Sequence, residues 1–513
     1  MGHSYLINLI YFMKKSNFLI WMITIVFLSS CTNNEELLEN SKEPFQEKLL
    51  SVQQVMDKIN ETIETKGSFD WKTADDQLLW SATVHGNHLL TVGFGSSNES
   101  FRTTTSKRLN GIKTSILEEI SKHENTVNKK DVLVYEDAVL NYVDVKVENI
   151  ETIKALRKLS NIRYLEPDGF MLVNTNENLQ RSSLSSSGCG FDSDYIYGAD
   201  YGTLSSGAKI PWNYYDHKIN QAWSYSKGRG IGVGVIDTGL SPNQTNLSYK
   251  FDDYYSGRYI QKYGTYIDSN WWWSNNLDGP NDRCGHGTSC VSAVSAPNNN
   301  SGMFVGVAYE CNMVSYRGTS DVVLNDYHEK KGVANALIAL GNRSDIKIIS
   351  MSVGYPWSIG RVKDAVRYAY SKGKLIFAAG GTSTSYTNWY GVIFPATMNE
   401  TVAVTGVEEQ ASYNECDVCH KGSKIDFTFV MERGNNHHQP VLGYNSYTSN
   451  YFGGSSVATA STAGIAALVW AKYPYWNRNQ VLNRMKFAGH FYPNKNSNFG
   501  YGNINALKAV RGY

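Results

Sequence analysis

Neither sign of charge dominates this chain. Its 48 Lys and Arg are matched by 47 Asp and Glu, so there is no electrostatic case for a nucleic-acid partner or for attraction to an acidic membrane surface. Charged residues make up only 19% and hydrophobic residues 42%. That balance excludes wholesale disorder and permits a large packed core. No tandem repeat is evident. A comfortable transmembrane span is missing too, because the apolar run from Phe18 to Leu28 is short and soon interrupted. Cysteine is scarce, seven among 513 residues, and the first of the seven has a reading of its own.

Met13-Lys14-Lys15 is a positive n-region, and Phe18 to Leu28 has the length of a signal h-region. The stretch ends in Leu28-Ser29-Ser30-Cys31, which resembles the lipobox of bacterial lipoproteins. The resemblance implies acylation at Cys31, a membrane partner reached through that lipid, and a place in the cell envelope, at the outer membrane or surface, or release after maturation. The polar, acidic Thr32-Asn33-Asn34-Glu35-Glu36 is similar to surface-export signals. The remaining cysteines are Cys189, Cys284, Cys290, Cys311, Cys416 and Cys419. In an oxidising compartment they permit three disulfides without specifying which pair with which.

Beyond a signal segment (1–31), the chain divides into four stretches. In 32–78, a polar tether leads to Leu49, Val52, Met56, Ile59 and Ile63 at helical spacing. Residues 79–170 carry a strand (His88 to Phe94), a helix marked by Leu109, Ile112, Ile116 and Ile120, two β-rich runs (Asp131 to Tyr135, Val139 to Val147), a helix (Glu151 to Leu159) and a strand (Ile162 to Leu165). The order β-α-β-β-α-β is the split, ferredoxin-like pattern. Residues 171–210, rich in Ser, Gly and Asn, read as a linker open to cleavage. In 211–513, continuous apolar runs (Ile231 to Ile236, Ile346 to Ser350, Leu375 to Ala379, Val402 to Val404) alternate with helical segments. Such runs argue for a doubly wound, mostly parallel α/β sheet with helices on both faces.

Acyl transfer at neutral pH needs a hydroxyl nucleophile, an imidazole base and a carboxylate to orient that base. Three strings supply them. Gly232-Val233-Gly234-Val235-Ile236-Asp237-Thr238-Gly239 runs an apolar strand into a carboxylate at its C-terminal end, where open α/β sheets place their sites. Gly285-His286-Gly287-Thr288 opens a helix with a His between two glycines. Gly453-Gly454-Ser455-Ser456-Val457-Ala458 puts Ser456 at a helix N-terminus, where backbone N–H groups and the dipole favour an oxyanion. Read singly, the Asp is a turn residue and the Ser an N-cap. Gly454-Ser455-Ser456-Val457-Ala458 lacks the second Gly of G-x-S-x-G, which excludes a nucleophile-elbow hydrolase.

In type and order the three strings resemble the signatures of the subtilisin-like serine proteases, the subtilases, over about 300 residues. The resemblance implies an endopeptidase with Asp237, His286 and Ser456 as its triad. It implies protein or peptide substrates and no required cofactor or metal. It also makes the 79–170 domain, ending in Tyr164-Leu165-Glu166-Pro167-Asp168, an inhibitory prosegment of a self-processed zymogen. Ser352, Val353 and Gly354 resemble the strand that pairs with substrate backbone, and Ile393, before Phe394-Pro395, falls where Gly often leaves the specificity pocket open. The chain departs from the family at Ala378-Ala379-Gly380-Gly381, where the family's Asn oxyanion donor becomes Gly381. The expected replacement is the Thr382 hydroxyl or Asn388; the rival reading is a pseudoprotease that binds peptides without cutting them. Asn298-Asn299-Asn300 is similar to a calcium loop of the family, but without evident partner carboxylates calcium stays open. Cys416-Asp417-Val418-Cys419-His420, within an insertion between Val407 and Gly454, reads as a small disulfide loop. It also matches covalent haem attachment, and with His437 or His438 a zinc site.

Overall fold

Two sheets dominate the structure, a computed structural model that describes residues 48–512 apart from 98, 102–105, 127, 129, 173–188, 255–256, 383–390 and 411–412. Cys31, the export segment and Asn388 lie outside the described residues. Helix α1 (Val52–Lys66) starts at a Ser51–Gln54 capping box and ends at Gly67, with Val55, Met56, Ile59 and Ile63 buried. Helix α2 (Asp76–His85), capped by Asp75, was not expected. Adjacent Leu78 and Leu79 are both buried, so it carries no one-sided stripe to read. Then follow β1 (Leu89–Phe94), α3 (Lys107–His123), β2 (Leu133–Glu136), β3 (Tyr142–Lys146), α4 (Ile150–Arg157) and β4 (Ile162–Glu166). The strands pair antiparallel in the order β2-β3-β1-β4, as the split pattern requires. A division at residue 78 therefore falls inside α2, and α1 shares one apolar core with this sheet.

The second sheet is assembled from the remainder of the chain. A hairpin, β5 (Tyr201–Thr203) and β6 (Lys209–Pro211), precedes a short α5 (Ile219–Ala222), β7 (Gly232–Asp237) and β8 (Ile260–Gly264). Then come α6 (His286–Ser295), β9 (Asn312–Arg317), α7 (Tyr327–Asn342), β10 (Ile346–Met351), α8 (Gly360–Ser371), β11 (Leu375–Ala379), β12 (Thr401–Glu408) and β13 (Phe427–Glu432). A second hairpin, β14 (Gln439–Leu442) and β15 (Ser449–Phe452), leads to α9 (Gly454–Lys472), α10 (Arg478–Phe487) and α11 (Ala506–Arg511). The seven strands are all parallel, in the order β13-β12-β11-β10-β7-β9-β8. Their apolar runs are continuous because both faces are covered. Val233, Val235, Leu375 and Phe377 pack with α6 and α9, while Ile236, Ile349 and Ile376 pack with α7 and α8. Helix α9 is long and apolar enough to cross a membrane, but 89% of that window is buried in this core.

The α7–α8 face also receives the N-terminal sheet. One apolar cluster runs from Phe69 and Trp71 through Trp357 and Tyr355 into α7 and α8. Inside it Arg361 is fully buried, 2.6 Å from both Asp144 and Asp168. Arg163 pairs with Asp364, and Glu166 accepts the Gly360 N–H at the start of α8 at 2.7 Å. A buried guanidinium flanked by two carboxylates is tolerable because its charge is compensated; removing one side would leave uncompensated charge in the core.

Two disulfides form, Cys189–Cys284 and Cys416–Cys419, and Cys290 and Cys311 are buried thiols. The permitted third bridge is absent. The stretch 171–210, expected as a linker, is held at its far end. Residues from Cys189 onward are tied down by the disulfide and by the β5–β6 hairpin, whose Lys209 bridges to Phe304.

Candidate active site

The C-terminal end of β7 delivers Asp237, and α6 begins on His286. Both side chains are buried, and His286 Nδ1 lies 2.7 Å from Asp237 Oδ1. The same oxygen accepts the Thr238 N–H at 2.8 Å. The carboxylate thus holds the proton on Nδ1 and leaves Nε2 as the basic nitrogen. Burial, the largest single influence, lowers the basicity of His286, but the Asp237 charge, Cys290 and the hydrogen bonds to both together outweigh it and hold the imidazole pKa well above its ordinary value. Cys290, 3.8 Å from Nδ1, has its own pKa pushed up by burial, so at neutral pH it is an uncharged neighbour.

Ser456 lies in the first turn of α9. Gly453 offers no side chain to cap that helix, so the opening N–H groups are left for another acceptor. The Ser352 hydroxyl donates to Ser456 O at 3.0 Å and also meets Cys290, so His286, Cys290, Ser352 and Ser456 form a chain of contacts. Among the described residues no hydrogen bond joins His286 to Ser456. In unliganded sites such bonds are often long and tighten with substrate.

One organising residue escaped the sequence reading. Asp282 is buried, and its Oδ1 accepts from Thr238 Oγ1, Cys284 N and Gly285 N, its Oδ2 from Thr288 N and Thr288 Oγ1, all between 2.6 and 2.9 Å. It ties the residue after Asp237 to both flanks of His286. The N-cap of this helix is Gly285, so Asp282, three residues before it, carried no local capping signal.

On the opposite wall Gly381 N donates to Ser455 Oγ at 3.3 Å, and the Thr382 and Ser455 hydroxyls are 3.0 Å apart. Ser455, in the sequence only the neighbour of Ser456, is part of this wall. Ser352, Val353, Gly354 and Ile393 line one cavity with Gly381, Thr382 and Ser456. It measures about 40 Å³, against the ~150 Å³ of a cavity that takes benzene. Ile393 contributes to the narrowness, since a Cβ on Gly354 would meet its Cδ1 at 2.6 Å. The strand expected to pair with substrate, Ser352–Gly354, has a partner within the chain. Gly354 N already donates to Val322 O and its carbonyl accepts from Leu324 N, because an edge left open pairs with the chain's own neighbouring segment.

Cys416 and Cys419 are bonded to each other, which leaves no thiol for haem and no thiolate for zinc, and His437 Nδ1 faces Asp200 at 2.7 Å. Around Asn298–Asn300 the amide nitrogen of Asn299 donates to Asn246 Oδ1 and lies 3.5 Å from Asp253 Oδ2.

Comparison with known proteins bears on this geometry. Residues 228–502 match the model of the subtilase family. Subtilisin DY of Bacillus licheniformis is 29% identical over 288 residues, covering 55% of this chain and 90% of that protein. Thermitase of Thermoactinomyces vulgaris is 26% identical over 298 residues, covering 57% of this chain and 92% of its own. In fold the chain resembles fervidolysin from Fervidobacterium pennivorans, described as a keratinolytic enzyme related to subtilisin. There the TM-score is 0.56 at 17% identity, over 83% of this chain and 61% of fervidolysin.

Proposed function

The chain belongs to the subtilase family of serine endopeptidases, and we propose that Ser456, His286 and Asp237 are its catalytic triad. What carries the reading is the 2.7 Å Asp237–His286 contact at the carboxyl edge of the sheet, joined through Cys290 and Ser352 to Ser456. His286 Nε2 takes the Ser456 Oγ proton as the oxygen attacks the peptide carbonyl, then passes that proton to the departing amine. Water, deprotonated by the same nitrogen, releases the acyl group. The Ser456 N–H and the Thr382 hydroxyl, which lies on the cavity wall with Ser456, meet the oxyanion in place of the family's Asn. An extended substrate adds a strand beside Ser352–Gly354 once Val322–Leu324 yields its pairing with Gly354.

The N-terminal domain is the inhibitory prosegment in this reading. Leu172 exchanges two hydrogen bonds with Asn325, next to the cleft segment Val322–Leu324, and Cys189 is held by Cys284, two residues before His286. Leu172 and Cys189 are therefore both held near the rim of the site, which supports self-cleavage between about Asp168 and Ile210. The disulfide would keep a new N-terminus made ahead of Cys189 attached to the enzyme. The protein is exported, as the secreted habit of the family's subtilisins suggests, and held by lipid on Cys31.

Expression of the full chain with and without Ser456→Ala tests this. The wild type should react with a fluorophosphonate and shorten, while the variant stays full length and unlabelled. Equal lengths and an unlabelled wild type refute the assignment. Radiolabelled fatty acid should mark the wild type and not Cys31→Ser.

A further inference from the structure

The insertion carrying Cys416–Cys419 has no part in the chemistry above, yet its end is built into the wall beside Ser456. Cys416 N donates to Gly406 O on β12, and both sulfurs pack against Gly406, where an added Cβ would lie 2.6 Å from Cys419 Sγ and 3.0 Å from Cys416 Sγ. The Thr405 hydroxyl donates to His420 O at 2.6 Å. The loop is thus bolted to the strand behind the site at two consecutive residues.

From that anchorage it reaches forward. Cys419 bridges antiparallel to Thr382, and His420 N donates to Gly381 O at 3.1 Å. The buried His420 ring places Nδ1 3.0 Å from Gly391 O, so one residue is bonded to both Gly381 and Gly391. The ring also fills the space in front of Gly381. A Cβ there would stand 2.3 Å from His420 Nδ1, at a φ of +127° that side chains rarely adopt. The missing side chain at 381 and the disulfide loop some 40 residues later are two halves of one arrangement.

We propose that His420, held by the Cys416–Cys419 loop, is a positioning residue that clamps Gly381 and Thr382 in the geometry needed to stabilise the oxyanion. The proposal rests on the reading of Thr382 and Ser455 as the oxyanion side. Hydrogen bonds from Gly381 N and between the Thr382 and Ser455 hydroxyls hold only if the 381–382 backbone stays where it is. An oxyanion donor displaced by a fraction of an ångström loses much of its effect, because the fit is to the transition state rather than to bound substrate. The clamp therefore acts on turnover and not on affinity.

The test uses the full-length, self-matured protein and turnover of fluorescent casein, counted per site titrated with a fluorophosphonate. His420→Ala should lower kcat at least tenfold with KM within about threefold, and Thr382→Ala should do the same. His420→Asn, whose amide can take the place of Nδ1 toward Gly391, should recover most of the loss. Cys416→Ser/Cys419→Ser should fall between, which keeps the test open should His420→Ala fail to fold. If Thr382→Ala lowers kcat while the His420 and cysteine variants match wild type per titrated site, the clamp is overturned and the oxyanion reading stands. If all of these variants match wild type, both are overturned.

Discussion

Replacing Asp282 by Asn changes one atom in a buried carboxylate that accepts five hydrogen bonds. Whichever way the new amide turns, its NH2 faces donors. The less costly orientation puts nitrogen at Oδ2, opposite Thr288. The Thr288 hydroxyl can rotate and accept, but the Thr288 N–H, in the first turn of α6, is left buried without a partner. An unmet buried donor costs about 1–3 kcal/mol. The three donors at Oδ1 keep their bonds but lose the negative charge, a further ~0.5 kcal/mol or so apiece. The sum is about 2.5–4.5 kcal/mol, a large share of the 5–15 kcal/mol typical of a folded domain. Urea unfolding of Asp282→Asn in a Ser456→Ala background, where self-digestion cannot interfere, should show that loss. In the active background turnover should drop as well, because the segment from Cys284 to Gly287 sets where His286 stands. A change below about 1 kcal/mol with normal activity would falsify the claim that Asp282 organises the site.

Four further outcomes are expected from the geometry. Gly381→Asn, which restores the family residue, should lower turnover rather than raise it, since the His420 ring occupies the space; a gain measured on casein would contradict this. Ile393→Gly should admit Phe and Tyr before the scissile bond in a peptide-library profile that excludes them in the wild type, and an unchanged profile removes Ile393 from the pocket wall. Because Asp237 holds the His286 pKa above its ordinary value, kcat/KM should rise with pH through a midpoint higher than that of a free imidazole, as the base becomes neutral. Burial and then the charge of Asp168 push Glu166 up to about 8. The docked domain then binds a proton that the free domain releases, so docking weakens as pH rises from the ordinary carboxyl range toward 8. Glu166→Gln should remove that dependence in a binding assay between separated prosegment and mature enzyme, and an identical pH slope in both proteins would refute it.

The strings around Asp237, His286 and Ser456 stood out because each joins a periodicity to an interruption: an apolar strand stopping at Asp237, a helix opening at His286 between glycines, an apolar helix preceded by Gly453-Gly454. Strand β11 matched its expected span, and β7 was displaced by one residue, since a strand covered on both faces is an unbroken apolar run. Strand β9 was not read because Asn312-Met313-Val314-Ser315-Tyr316-Arg317 interleaves polar residues, and Arg317 is buried by virtue of Asp278, which no local pattern announces. The disulfides were open for a similar reason. Six cysteines allow many pairings, and only the fold brings Cys189 to Cys284 while sealing Cys290 and Cys311 in the core.

The clearest case of information absent from any local window is Gly381. Along the chain it is a family residue lost, and the inference from that alone is a weakened catalyst or a substitute donor next door. In space it is the one residue type compatible with His420, which an insertion after β12 brings to the same spot. Neither half makes sense alone. A side chain at 381 would expel the His420 ring, and without the ring Gly381 would be a flexible point in a wall that needs to be rigid. Glycine adds freedom to a free backbone, yet here its N–H, its carbonyl and the space before its Cα are all taken, by Ser455, by His420 N and by the His420 ring. The cost of the missing side chain is thus offset by restraint from a distant segment. A sequence comparison that scores position 381 by itself would call this enzyme impaired, whereas in the structure 381 and 420 are joined in one unit.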